Sequence, residues 1–252
     1  MSERTRLAVF LAGAVPLAAL LTLALIGLPG SDLPLGDLAG TIAAHAVPER
    51  KGTNTVIDVA FDYRALDTLG EEFMVFVAAI GTAVLLRATR ADDERSNVEE
   101  RRELHGDDAS ELMRWAGGAL APVTVLVGLY VVSHGQLTPG GGFQGGVVLA
   151  TAFLFVYLSG RRVASGRVNA LSLTEAAEAA GAAGFALIGI GGLIFGAVLM
   201  ENFVDLGSKG SVWSGGTIPL ANVAVGIEVA GAFVVILTEL LDQLVVGRGA
   251  RR

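Results

Sequence analysis

The sequence predicts an all-α integral membrane protein of about six transmembrane helices with both termini cytoplasmic, and three observations carry that prediction. Hydrophobic residues make up 52% of the 252 positions and charged residues 17%, with mean hydropathy +0.61; soluble domains hold about one quarter charged residues. Residues 7–28, 115–133, 143–160 and 179–200 contain no Asp, Glu, Lys or Arg, and each approaches the roughly 20 apolar residues that cross a hydrocarbon core. Lys and Arg are unevenly shared among the intervening segments, which is the signal that sets orientation.

The first window, 7–28, follows Arg4 and Arg6, as a signal peptide or a retained helix would. Its 22 charge-free residues exceed the roughly 7–15 of a signal-peptide core, and no clean small-x-small cleavage site follows. The reading is a retained first span. The second span, 69–87, has a short apolar part, 73–86, and reaches spanning length by taking in "TLGEE", with Glu71 and Glu72 near the interface. The third, fourth and fifth spans are the charge-free windows 115–133, 143–160 and 179–200. The sixth, 218–238, contains one charged residue, Glu228. With both termini inside, Arg50, Lys51, Arg64 and Lys209 lie outside and the other fourteen of the 18 basic residues lie inside, as the positive-inside rule requires.

These spans divide into a two-helix module, 1–87, and a four-helix domain, 115–247. A mixed-charge cytoplasmic linker, 88–114, joins them within the sequence "RATRADDERSNVEERRELHGDDASELMR", which is polar enough to be solvated. The net charge of −7 belongs to such loops. The absence of cysteine excludes disulfides, thiolate metal sites and iron–sulfur ligation by this chain.

Between the third and fourth spans stands "TPGGGFQGG", residues 138–146. A phosphate loop needs a preceding strand and a nearby Lys, and neither is present. A flexible linker sits in water, not between two charge-free apolar runs. Pro139 lacks a backbone donor and Gly140, Gly141 and Gly142 permit positive φ, so the third helix stops and the chain reverses. Gly141 with Gly145, and Gly142 with Gly146, are small-xxx-small pairs suited to close helix approach. His134, Gln136 and Thr138 are available to satisfy the freed backbone groups. The stretch reads either as a tight hairpin at the external interface or as a re-entrant, function-bearing turn.

"SHGQLTPGGGFQGG" followed by "VVLATAFLFVYLSG" resembles the signature of the MnhB family, the second-named subunit of the multi-subunit Mrp-type Na⁺/H⁺ antiporters. "NFVDLGSKGSVWSGGTIPLANVAVGIEVAGAFVVIL" resembles that family's last loop and helix, so the likeness covers roughly 115–245. Upstream, "NTVIDVAFDYRALDTLGEE" resembles a segment near the C-terminal end of the antiporters' large first subunit, found also in a small subunit of membrane-bound hydrogenases. There Asp62, Arg64, Asp67, Thr68, Gly70 and Glu71 fall in register. The resemblance implies one component of a cation/proton antiporter complex in a prokaryotic cytoplasmic membrane, with Na⁺ and H⁺ as the transported ions. Its partners would be the other subunits and the lipid bilayer. No cofactor and no nucleic-acid partner is expected. Two rivals stay open: a membrane-arm subunit of an energy-converting hydrogenase or a complex I-like redox complex, and a scaffold subunit that carries no ion.

Ionisable residues inside a span are candidates for an ion pathway. Glu228 comes first. With the last helix starting near Thr217, it lies about 16 Å in, close to mid-membrane, on a face with Ala221, Ala224, Gly231 and Ala232. Glu71 is the second candidate, set against a capping box of Thr68 and Glu71 that accounts for the same spacing. Ser172 and Glu175 repeat that box at the start of the fifth span, where Glu175 and Glu178 read as cap and interface groups. Residues 54–66 read as an amphipathic helix with Val56, Val59, Ala60 and Tyr63 on one stripe. Asp58, Asp62 and Asp67 surround Arg64 there, as an internal salt-bridged cluster or a cation-collecting mouth. Asp67 and His134, a titratable group beside the glycine turn, complete the candidates. No metal-ligand spacing, Ser–His–Asp set, Walker loop or dinucleotide fingerprint is present.

Overall fold

The computed structural model describes residues 3–26, 36–93, 110–159 and 169–249, and among them every regular element is helical. The chain divides into two units, 1–41 and 42–252. In the first unit lies α1 (Glu3–Ile26), with Pro16 inside it. α2 (Asp37–Arg50) begins there and ends in the second unit. The second unit continues with α3 (Thr55–Asp58), a π-helical turn (Val59–Tyr63), α4 (Ala65–Asp93), α5 (Glu111–Ser133), α6 (Gly142–Leu158), α7 (Asn169–Phe195) and α8 (Ile218–Gly249).

Four helices are long and apolar enough to cross a membrane: Ala65–Arg87, Glu111–Ser133, Leu173–Phe195 and Ile218–Leu241. The expected first and fourth spans appear as shorter apolar stretches, Leu11–Leu20 and Gly142–Leu158. Boundaries also moved. The second span starts at Ala65, so "TLGEE" lies well inside α4, which runs on to Asp93 and into the expected linker. The fifth ends at Phe195, five residues early, and the chain leaves the helix at Gly196.

α8 is the central helix: α6, α7 and α4 all pack on it, and α5 packs on α6. The second helix of the N-terminal module therefore shares one body with the four-helix domain. Glycines set the approach. Gly142 and Gly146 face α8, where a Cβ would come within 2.4 Å of the Asn222 carbonyl oxygen and 2.8 Å of Val229 Cβ respectively. Gly145 turns the other way, onto Val132 of α5. Small residues at such crossings let backbones touch and gain van der Waals contact where lipid offers no hydrophobic drive.

Gly140 and Gly141 adopt φ of 137° and 151°, a region other residues avoid, and reverse the chain between α5 and α6. The carbonyls of Gly135, Gln136, Leu137 and Thr138 find donors in residues 53 and 54, more than 80 positions upstream. Asn54 Nδ2 donates to the carbonyls of Gly135 and Thr138 at 2.8 and 2.9 Å. The N–H groups of Thr53 and Asn54 both reach the Gln136 carbonyl, and Thr53 Oγ1 donates to Leu137. Gly142 N–H donates to Asn222 Oδ1 at 2.8 Å. The side chains of His134, Gln136 and Thr138 also meet backbone carbonyls at the end of α5. Thr138 Oγ1 donates to the His134 carbonyl, Gln136 Nε2 to the carbonyls of Ser133 and Val212, and His134 Nδ1 lies 3.1 Å from the Tyr130 carbonyl.

The amphipathic reading of 54–66 also shifts. Ile57, Phe61 and Ala65 are the buried stripe, with Phe61 tilted against Phe185 at 5.8 Å, while Val56 is 72% exposed. A π-turn explains the connection to α4: Arg64 N–H reaches back five residues to Val59 O at 2.8 Å, and the Thr68 hydroxyl donates to Ala60 O. Thr68 therefore lies in the first turn of α4 and satisfies the π-turn; it is not the cap of a helix that begins after it. π-turns of this kind are enriched at functional sites.

Candidate functional site

The buried carboxyls of α4, α7 and α8 gather along one seam. Glu228 lies ten residues into α8, about 15 Å along its axis, and is fully buried. Glu72 of α4 and Glu178 of α7 are each 2% exposed. The seam is tight because α7 and α8, running antiparallel, carry the same E-x-x-G pattern, Glu178–Gly181 and Glu228–Gly231. Gly181 lies against the backbone of Glu228, and Gly231 lies against the backbone of Glu178. Each glycine makes room for the other helix's glutamate.

The Glu72 carboxyl interacts electrostatically with that of Glu228, and Glu228 with Glu178. Glu72 and Glu228 hydrogen-bond each other, which needs a proton on one of the two carboxyls; apart from that contact, no donor among the described residues reaches either oxygen of Glu72, either oxygen of Glu228, or Oε1 of Glu178. Buried acceptors facing one another without a donor are expensive. A proton shared between the two carboxyls relieves that cost. One turn further, Glu175 binds Arg87 at 2.5 Å, and Arg87 Nε also meets the fully buried Glu239 at 2.7 Å. The order along the seam is Glu72, Glu228, Glu178, Glu175, then Arg87 with Glu239.

A second polar region lies at the α4 N-terminal end. Asp62 pairs with Arg50 at 2.8 Å and accepts from Asn202 Nδ2 at 3.1 Å. Burial pushes its carboxyl up, against the lowering charge of Arg50. Asp58 is fully buried, and neither of its oxygens meets a donor among the described residues. Burial, and then the charge of Asp62, push its pKa to about 6, with Arg50 opposing. Gly52 packs so closely that a Cβ there would fall 2.1 Å from Asp58 Oδ1. A cavity of about 770 Å³ opens beside this region, lined by Arg50, Asp62, Tyr63, Asp67, Glu201 and Asn202 among others. Among the described residues no cluster of three or more His, Asp or Glu is arranged to hold a metal ion.

A pH signature follows for Asp58. The folded protein holds a proton on Asp58 between the ordinary value of 3.8 and about 6, a range in which the unfolded chain has released it. Stability from this group is therefore greatest below pH 3.8, falls as pH rises to about 6, and stays flat above. Asp58→Asn is expected to remove that decline. Melting temperatures of both proteins in detergent, measured from about pH 4 to about pH 8, check it; parallel curves would rule it out.

The structure places the sequence candidates unequally. Glu228 stands at the centre of the seam. Glu71 is exposed, and its neighbour Glu72 is the residue buried against Glu228. Asp67 forms an exposed i,i+3 pair with Arg64 at the cavity rim, whereas Asp62 takes Arg50, so no single cluster surrounds Arg64. His134 stacks on Tyr130 at 4.2 Å, with Nδ1 near Ser133 Oγ, at the end of α5 rather than on α4, α7 or α8. Sequence reasoning missed Glu72, Glu178, Arg87 and Glu239. The repeated E-x-x-G was the signal available for Glu178; Arg87 and Glu239 lay at or beyond the edges of their expected spans.

What fold and seam define is a helical membrane protein with ionisable groups buried between its helices. Residues 112–235 match the family described as a domain related to the MnhB subunit of Na⁺/H⁺ antiporter. The chain belongs to that family and is a membrane component of the Mrp-type antiporter family. An uncharacterised protein of Methanocaldococcus jannaschii is 32% identical over 197 residues, 70% of this chain and 72% of its own length. A Rhizobium meliloti protein described as a probable K⁺/H⁺ antiporter A/B subunit is 29% identical over 146 residues, 49% of this chain; the match spans only 14% of that protein.

Two solved structures share the fold. One is a chain of the membrane-bound sulfane sulfur reductase, an archaeal respiratory membrane complex (TM-score 0.69, 27% identity, 95% of this chain and 99% of that one). The other belongs to the Mrp complex from a Dietzia species (TM-score 0.70, 26% identity, 95% of this chain and 26% of that one). Both extend across the N-terminal module, in keeping with its resemblance to the antiporters' large first subunit and to the hydrogenase small subunit. Both come from membrane complexes.

Proposed function

We propose that this chain is one component of a monovalent cation/proton antiporter complex in a prokaryotic cytoplasmic membrane, with both termini inside, and that Glu72, Glu228 and Glu178 form part of its ion pathway. The observation that carries the reading is the burial of Glu72 against Glu228 with no hydrogen-bond partner among the described residues beyond each other. A purely structural seam would fill those positions with paired or apolar groups, because unpaired buried carboxyls are disfavoured. Na⁺ is the first cation to test, in keeping with the family description; the Rhizobium relative's K⁺ makes that ion the comparison.

The test is exchange in everted vesicles holding the whole complex, driven by an imposed gradient without electron donors. Glu72→Gln is expected to lower exchange by roughly tenfold, about 1.4 kcal/mol in the rate, with subunit content unchanged. Full exchange in an assembled Glu72→Gln complex would remove the carboxyl seam from the pathway. Exchange seen only when an electron donor is supplied would favour the redox-driven reading. A C-terminal tag digested by added protease only in everted vesicles checks the orientation.

A further inference from the structure

Glu71 sits at an unusual address. Its neighbour Glu72 meets Glu228, and Glu228 lies about 15 Å into α8. One residue of helix rises about 1.5 Å, so Glu71 stands at nearly the level of Glu72, six residues and about 9 Å inside the apolar span that begins at Ala65. It also points away from the seam. Glu71 is exposed, as are Asp67, Met74 and Ala78, which fall at i, i+4, i+7 and i+11 and so share one face of α4. The residues beside that face, Phe73, Val77 and Val84, are 48–65% exposed and apolar. This face therefore continues as membrane surface along α4.

Lipid is a poor neighbour for such a carboxyl, since an ionisable group in hydrocarbon is costly unless paired. The exposed face of α5 offers the contrast: between Trp115 and Ser133 it carries no ionisable acid or base beyond the Tyr130 phenol, so lipid suffices to cover it. At the level of Glu71 the chain itself has no cation to offer. The stretches 65–86, 115–133, 142–158, 173–195 and 218–241 contain no Lys, Arg or His, and residues 7–26 of α1 contain no charge. Three acidic groups, Glu71, Glu72 and Glu228, thus share one depth with no basic residue on any of these helices there. A second copy of this chain carries the same deficit and is excluded on the same ground.

The geometry points to the Glu71 face of α4 as a docking surface for a transmembrane helix of a different polypeptide that carries a Lys or Arg level with Glu71. Ala78 and the half-buried Gly81 allow that helix to approach closely, and the basic side chain pairs with Glu71 at the rim of the acidic seam. This inference does not require that ions cross through the seam, so it stands or falls apart from the transport reading.

A photo-crosslinker tests it in the complete complex. p-Benzoylphenylalanine in place of Met74, one turn from Glu71, is irradiated in native membranes, and the adduct is mapped by mass spectrometry. The expected product is an apolar segment of another subunit with a Lys or Arg within about one helical turn; the same group in place of Val123 on α5 is expected to yield lipid adducts. Adducts at Met74 to lipid, to a second copy of this chain, or to a helix lacking a basic residue would overturn the proposal. In parallel, Glu71→Gln is expected to raise dissociation of that partner in detergent roughly tenfold. Glu71→Arg should release it fully and be rescued when the crosslinked basic residue is changed to Glu. Unchanged retention in the Glu71→Arg complex would also sink the idea.

Discussion

Glu228→Gln is expected to reduce cation/proton exchange by at least roughly tenfold while leaving the complex as stable as before, or more so. The reason lies in what the amide supplies. Glutamine matches glutamate in shape and brings an N–H₂ donor to a contact where, among the described residues, Glu72 and Glu228 have only each other as hydrogen-bond partners. One buried acceptor is then satisfied and one buried charge removed, both favourable to the folded state. A tenfold loss is about 1.4 kcal/mol of barrier, a modest demand for removing the central proton- or cation-accepting group. The paired readout separates function from scaffolding. If exchange is undiminished in a Glu228→Gln complex of normal subunit content, the carboxyl is structural and the scaffold reading stands.

Gly181→Leu is expected to be the most disruptive single substitution in the α7–α8 pair. A Cβ at position 181 falls 2.4 Å from the Glu228 nitrogen and 2.6 Å from the Ala224 oxygen. Both are helix backbone atoms that cannot rotate aside, so α7 and α8 must separate. Overpacking of this kind costs about 3 kcal/mol or more. It also draws Glu178 away from Glu228, so exchange should fall together with stability. Gly184 is the control: the nearest atom to its Cβ is Ala224 Cβ at 3.5 Å, ordinary contact. Gly184→Ala should therefore be neutral, or stabilise by up to about 1 kcal/mol through helix propensity. Thermal unfolding of the detergent-solubilised protein reads both. Equal melting temperatures for Gly181→Leu and the native chain would show that the helices are not held as close as described.

Legibility followed physical range. Spans announced themselves because lipid imposes one requirement on every residue of a helix, and a run of apolar letters records it directly. Glu228 was legible for the same reason, as the single charge in its window. Glu72 was not, because two adjacent glutamates differ only by the roughly 100° that separates successive residues on a helix, and nothing local says which side meets α8. The capping box at Thr68 failed similarly: its spacing was correct, but the helix had already begun at Ala65 behind a π-turn. The donors for the glycine turn came from Thr53 and Asn54, more than 80 residues away in sequence, a distance that no local pattern encodes.

Composition, apolar run length and the motifs that carry the family likeness were enough by themselves to establish a helical membrane protein of the MnhB family. Tertiary structure alone decided which carboxyls meet: that Glu72 rather than Glu71 turns inward, that Glu178 joins Glu228 through reciprocal glycines, and that Arg87 ties Glu175 to Glu239. The reason is that solvent preference is written residue by residue, whereas the pairing of buried charges depends on how helices rotate and approach, which is settled only when they pack.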